Sequence, residues 1–341
     1  MNFECYCDKA QDALQNEFWD AADRIYRHHL PHNPEEPFCY WWHAHVIDAL
    51  LDGYLRTKDE KYLHRIDQEL AGVFVKNGNT YLNNWYDDME WMALAQLRLY
   101  DVTQKKEYLQ NVLALWDDIK TAWNDFQGGG MAWKKDQLDY KNTPANAPAA
   151  ILAYRLYRRL GRDEDLAWGD RIFDWNRENL MDEKAGIVFD GKNRLGDRKI
   201  DYDWDFTYCQ GVMAGAALER YAITNDQQYL DLALNIALAA KRRLCDGFGG
   251  VLPYEGKDDC GLFKGIMIRY FTELVGTTPQ AKPIQEMICY NAQVICEKGI
   301  NAQGVIGANL DRQPAGIIDL AQHLSGMMIL EMASQLQNVT F

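Results

Sequence analysis

The chain has 341 residues, with 36 Lys and Arg against 50 Asp and Glu, a formal net charge of −14 at pH 7. So acidic a balance disfavours nucleic acid and anionic membranes, which are bound through basic faces, and favours a neutral or cationic ligand. No run free of Asp, Glu, Lys and Arg exceeds 13 residues (142–154 and 206–218), short of the ~18 that a membrane helix needs.

The first residues, Met1 to Asp8, carry neither a basic n-region nor an apolar h-region, so the expected location is cytoplasmic. An export signal trimmed from the chain would make it secreted instead. The spacing predicts a first helix over 8–29. His28, His29 and His32 at its end read as C-terminal caps and not as ligands. Helices follow over 39–56 and 59–75. On the second of these, Tyr62, Leu63, Ile66 and Leu70 form one apolar stripe, the pattern of a helix with one face to the core. His43 and His45 are two apart, about 200° around a helix, and share no face.

The turn at Thr57 opens a repeat. Tyr54-Leu55-Arg56-Thr57-Lys58-Asp59-Glu60-Lys61-Tyr62-Leu63 returns at 100–109 and at 221–230, with a weaker copy at 157–166. Turn positions 57, 103, 161 and 224 are 46, 58 and 63 residues apart, which divides the chain into about six helical hairpins. Thr57 with Glu60, and Thr224 with Gln227, have capping-box spacing. The remaining helices are predicted over 86–101, 105–124, 145–160, 163–180, 206–223, 226–244, 261–275, 279–298 and 314–337. Odd-numbered helices are amphipathic. Even-numbered ones, such as Gly211-Val212-Met213-Ala214-Gly215-Ala216-Ala217-Leu218, are apolar on most sides and read as buried all round. Alternating outer and inner helices make an all-α (α/α)6 toroid. With no linker or composition break, 1–341 is expected to be one domain.

Before several inner helices a glycine precedes a short apolar piece, as in Gly128-Gly129-Gly130-Met131-Ala132-Trp133 and Gly186-Ile187-Val188-Phe189-Asp190. If the inner helices are parallel, these loops share one rim with the inner N-termini, and no sheet is expected beyond short hairpins in them. The sharpest cluster on that rim is Asn83-Asn84-Trp85-Tyr86-Asp87-Asp88-Met89-Glu90-Trp91. Paired carboxylates are what glycosidic bond cleavage requires, and aromatic faces stack on sugar rings. Trp116-Asp117-Asp118 is the internal contrast: it falls mid-helix, with Trp116 inward and both acids toward water. Asp201-Tyr202-Asp203-Trp204-Asp205 begins like a calcium loop, but Phe206 and Val212 stand where that loop needs Gly and Glu. Asp205, just before an inner helix, is its better candidate for a ligand contact. Lys264 and Arg269 are basic residues in the buried ring and need partners. Eight cysteines without a CxxC pair read as reduced thiols. No metal site and no cofactor are expected.

In order along the chain, Trp85-Tyr86-Asp87-Asp88, Gly128-Gly129-Gly130-Met131-Ala132-Trp133, Lys141-Asn142 with Asn146-Ala147-Pro148-Ala149, Thr207-Tyr208-Cys209-Gln210-Gly211 and Phe263-Lys264-Gly265-Ile266 resemble glycoside hydrolase family 76. These are endo-α-1,6-mannanases on an (α/α)6 barrel, and the resemblance covers roughly residues 40 to 330. It implies a retaining glycosidase on α-1,6-linked mannan or a related neutral glycan, an oligo- or polysaccharide partner, Asp87 as nucleophile and Asp88 as acid/base. Sugar contacts are expected from Trp85, Tyr86, Trp133, Asn142, Asn146, Asp205, Tyr208, Gln210 and Lys264. Trp133, preceded by three glycines, is expected to be the most exposed aromatic.

Rival readings are a transglycosylase with the same intermediate, a sugar 2-epimerase, and a catalytically silent glycan-binding toroid. The epimerase needs histidines on several inner helices, and late in the chain only His323 is available.

Overall fold

A left-handed residue ends the first helix of each repeated segment. Lys58, Gln104, Gly161 and Asn225 have φ between 54° and 67°, and their N–H groups donate to the carbonyls of Tyr54, Tyr100, Tyr157 and Tyr221 four residues back, at 2.7–2.8 Å. Only Gly161 adopts this conformation without a Cβ penalty. The threonines do not form the expected capping boxes. Thr57 Oγ1 donates to the Gly53 carbonyl and accepts from the Asp59 N–H; Thr224 does the same with Arg220 and Asp226. They close the old helix. The next one is capped from Asp59 and Asp226, whose carboxylates accept from the N–H groups of Lys61 and Gln228.

The computed structural model describes residues 2–337. Among them are twelve α-helices: α1 (Phe3–Ala13), α2 (Tyr40–Thr57), α3 (Lys61–Lys76), α4 (Tyr86–Thr103), α5 (Lys106–Ile119), α6 (Thr143–Leu160), α7 (Asp163–Leu180), α8 (Thr207–Thr224), α9 (Gln227–Leu244), α10 (Phe263–Val275), α11 (Lys282–Val294) and α12 (Leu320–Leu336). The inner helices α2, α6, α8 and α12 are buried over most of their length, whereas α3, α5 and α9 bury one stripe each. No described helix is long and apolar enough to cross a membrane.

The chain forms two compact units. The first comprises 1–81, 241–272 and 282–341. In it α1 and α11 pack on α12, and α2 packs on α3 and α12. The second comprises 82–240 and 273–281. There α4 packs on α5 and α6, and α6 on α7 and α8.

The first predicted helix differs. α1 stops at Ala13, a π-helical turn covers Leu14–Phe18, and β1 (Trp19–Asp20) pairs with β2 (Ile25–Tyr26). Phe18, Ile25 and Tyr26 are all buried, so their spacing suits a helix face, but the π-helical turn delivers Phe18 and the hairpin delivers Ile25 and Tyr26. The histidines are therefore not helix caps. His29 lies in β3 (His29–Leu30), which pairs with β9 (Ile318–Asp319) across most of the chain. The expectation of hairpins alone also fails for β4 (Ala132–Lys134), β5 (Gln137–Asn142) and β8 (Gly191–Lys192), which form a three-stranded sheet. β6 (Met181–Asp182) and β7 (Ile187–Val188) do make a hairpin.

The fourth residue of three inner helices clasps an extended piece. Asn146 on α6 accepts from the Met131 N–H and donates to the Met131 carbonyl, at 2.8 and 3.2 Å. Gln210 on α8 does the same with Val188, at 2.9 and 2.6 Å. His323 on α12 accepts from the Ile306 N–H through Nδ1 and donates from Nε2 to the Ala10 carbonyl, at 3.2 and 3.1 Å. Such short strands leave backbone groups without ladder partners, and burial makes those groups costly unless a side chain meets them.

His43, the fourth residue of α2, joins a proton chain. A carbonyl can only accept, so His28 Nδ1 donates to Pro37. His28 Nε2 then accepts from His43 Nε2 at 2.8 Å, and His43 Nδ1 faces Glu69 Oε1 at 2.5 Å. Burial raises Glu69 well above the usual carboxylate range and lowers both histidines to about 3. A protonated Glu69 donating to a neutral His43 satisfies this chain without any buried charge.

His323 is lowered by burial to about 4. It is neutral when folded and protonates below its ordinary 6.5 when unfolded, so its contribution is full above that value and is lost as pH falls toward 4. The urea stability of the wild type minus that of His323→Gln should therefore shrink between pH 6.5 and pH 4. A difference that grows on acidification would contradict the neutral clasp.

Candidate active site

The site is assembled in the second unit around the N-terminus of α4. Residues 84–85 run alongside β4: the Lys135 N–H donates to the Asn84 carbonyl at 3.0 Å, and Trp85 bridges to Lys134. That pairing carries Trp133 to the aspartates. Its Nε1 donates to Asp87 Oδ2 at 3.0 Å, and the Asp88 N–H donates to Asp87 Oδ1 at 3.0 Å. Asp87 and Asp88 are the second and third residues of the helix, half-buried, where the helix dipole and free N–H groups favour anions. Donors on both oxygens of Asp87 stabilise its ionised form.

Trp133 is held in turn. Tyr140 lies edge-on to it, with centroids 5.8 Å apart at 86°. The Tyr140 hydroxyl donates to Asp190 Oδ2 at 2.9 Å, and Tyr208 donates to Asp190 Oδ1 at 2.7 Å. Lys134 Nζ stands 5.1 Å from the Trp133 ring and 5.9 Å from Trp85. The loop before β4 is clamped by fully buried Lys141, whose Nζ donates to the Gly130 carbonyl at 2.7 Å; burial lowers this amine to about 7. Gly130 has φ +83°, and a Cβ there would meet the Trp175 ring at 2.6 Å. The three-glycine run thus makes room for tryptophan.

Glu90 is the residue that the sequence reading missed. One turn beyond Asp87, it is fully buried, and neither carboxyl oxygen has a hydrogen-bond partner among the described residues. Burial raises it well above the usual range, and the charge of Asp87 adds to the effect. Both effects favour its neutral form. Asp190, Tyr140 and Lys141 were also not singled out. Asp190 closes a loop that reads as merely apolar, and Lys141 is quoted only as part of a motif.

The expected sugar contacts divide. Trp85 is the exposed platform, at 38%, while Trp133 is only half-buried, so the expected order of exposure is reversed. Tyr86 is buried, and its hydroxyl meets Thr121 at 3.1 Å, so it packs toward the turn after α5 and is no platform. Asn146 and Gln210 are fully buried with their amides committed to backbone. They position loops and do not face a ligand. Tyr208 is nearly buried and committed to Asp190. Asn142, at the end of β5, keeps a buried Oδ1 without a partner among the described residues. Asp205 is half-buried just before α8. In the contrasting pair, Asp117 faces water, but Asp118 is paired with Lys135 at 2.7 Å and is no solvated acid.

In the first unit, Arg269 is paired with Asp52 at 2.6 and 3.0 Å, as a buried cation must be. Lys264, the second residue of α10, breaks that expectation. It is 1% exposed, its Nζ has no hydrogen-bond partner among the described residues, and burial lowers it from the usual lysine value.

Residues 7–336 match the profile of Glycosyl hydrolase family 76. An α-1,6-mannanase from a Salegentibacter species is 37% identical with a TM-score of 0.93, covering 98% of this chain and 99% of that one. An inactive variant of that mannanase, with two consecutive aspartates replaced by asparagine, was solved with α-1,6-mannotriose. A protein from Listeria innocua is 40% identical with a TM-score of 0.94, covering 99% of this chain and 98% of that one. A mannan endo-1,6-alpha-mannosidase of Candida albicans is 24% identical over 262 residues, 70% of this chain. The chain spans 54% of that relative's length. The all-α (α/α)6 class read from the repeat is the fold of these structural neighbours.

Asn146→Ala would orphan both the N–H and the carbonyl of Met131. At about 1–3 kcal/mol for each buried unsatisfied group, urea unfolding should show a loss of about 2–6 kcal/mol. A loss below about 0.5 kcal/mol, the range of an uninvolved surface substitution, would show that the amide is not a clasp.

Proposed function

Because the chain belongs to glycosyl hydrolase family 76, we propose that it is a retaining endo-glycosidase on α-1,6-linked mannan. The observation that carries the reading is the adjacent pair at the α4 N-terminus, with Asp87 fixed by two N–H donors. Asp87 is the nucleophile: its carboxylate oxygen attacks the anomeric carbon. Asp88 is the acid, giving its proton to the departing glycosidic oxygen. Asp88, now a carboxylate, takes a proton from water, which attacks the anomeric carbon, breaks its bond to Asp87 and restores the starting configuration. The two carboxyl groups of a retaining pair stand about 5–5.5 Å apart, a separation that neighbours pointing ~100° apart around a helix can span.

Trp85, exposed beside the aspartate pair, offers a face to a sugar ring. Replacement of two consecutive aspartates in the inactive Salegentibacter mannanase supports the pair. The histidines that an epimerase would use are committed: His323 clasps Ile306, and His43 sits in the chain to Glu69.

Proton NMR with α-1,6-mannooligosaccharides should show internal cleavage with the α-anomer released first. Asp88→Ala should keep turnover of an activated aryl α-mannoside, and azide should raise that rate and give the α-azide. First release of the β-anomer would overturn the retaining mechanism.

A further inference from the structure

In the first unit, three remote segments converge on one point: β3 with His29, the turn at Asp258, and β9 with Asp319. The ligand atoms of these side chains all lie within 4.8 Å of one another. We infer that they form a site for a divalent transition cation of the Zn²⁺ type, bound through His29 Nε2 and one carboxylate oxygen each of Asp258 and Asp319.

The imidazole is already oriented for this. Glu36 Oε2 accepts from His29 Nδ1 at 2.8 Å, and Glu36 Oε1 is pinned by the His28 N–H at 2.6 Å. A proton on Nδ1 leaves the lone pair of a neutral ring on Nε2, the carboxylate–histidine arrangement found behind metal-bound imidazoles. Asp319 is divided in the same way. Its Oδ2 accepts from the Asp258 N–H and from Gln322 Nε2, both at 2.9 Å, and its Oδ1 faces His29 Nε2 at 3.6 Å. That distance is long for a hydrogen bond. It suits two ligands of one ion, because donors about 2.0–2.2 Å from Zn²⁺ stand roughly 3.4 Å apart in a tetrahedron.

A nitrogen and two carboxylate oxygens favour a borderline cation over Ca²⁺, which takes six to eight oxygens. Access is available. Asp258 is exposed and His29 half-buried, so the cluster opens to solvent, which can supply the ion and a water as fourth ligand. This reading does not depend on the aspartate pair, which lies in the other unit. Its consequence is a cross-link between segments up to 290 residues apart (319 − 29).

The alternative is a protonated His29 bridging Glu36 and Asp319 without an ion. Chelator-stripped protein titrated calorimetrically with ZnCl₂ at pH 7, and melted with and without it, separates the two. We expect one Zn²⁺ per chain, a raised melting temperature, and at least tenfold weaker binding in Asp258→Asn, which alters only an exposed side chain. Nitrogen NMR should show His29 Nε2 without a proton and shifted by the ion. No binding at 1 mM Zn²⁺, affinity unchanged in Asp258→Asn, or a His29 ring protonated on both nitrogens would overturn the site.

Discussion

Short extended segments beside buried helices must find partners for their N–H and carbonyl groups, and the architecture of the site depends on how that requirement is met. Strands of two or three residues cannot satisfy each other. The inner helices supply what is missing from their fourth position: Asn146 and Gln210 each meet both groups of one extended residue, and His323 accepts from the Ile306 N–H while donating to Ala10 of α1. Because these groups are buried, each clasp matters more for what its loss would expose than for its own strength. The inner-helix N-terminus then carries the chemistry. In α4 the second and third residues are the aspartates.

Held this way, Asp87 is positioned by a series of contacts rather than by its own helix alone. Asn146 and Lys141 fix the loop before β4, β4 carries Trp133, and Trp133 donates to Asp87. Asp190 anchors the opposite side through Tyr140 and Tyr208. Preorganised donors of this kind stabilise charge without moving during reaction. Glu90 has the complementary role. Burial favours its neutral form, which adds no third negative charge to a site that already holds two carboxyl groups.

Much of this was legible before any coordinates. The Tyr-to-turn repeat locates the eight helices α2 to α9 to within a few residues, because a left-handed residue four positions after a tyrosine carbonyl is a local device, and apolar periodicity finds α10 to α12. The first helix differs from its expected span for a physical reason: Phe18, Ile25 and Tyr26 are buried at helix-like spacing by a π-helical turn followed by a hairpin. Within the site, the aspartate pair stands out by chemistry and context. The roles of Asn146 and Gln210 do not, since an amide suits a sugar hydroxyl and a backbone peptide equally, and only burial separates the two uses. Glu90 and Lys264 are invisible for a related reason. A charged residue on an apolar helix announces that it needs a partner, not whether it has one.

The most direct test of the account is covalent. A fluorinated α-mannosyl donor that forms the glycosyl-enzyme faster than water releases it should label the protein once per chain. Peptide mass spectrometry should place that sugar on Asp87, and Trp133→Phe should slow the labelling because it removes the Trp133 Nε1–H donor to that carboxylate. A label on any other residue, or no label while the donor is still consumed, would contradict the assignment of Asp87 as nucleophile.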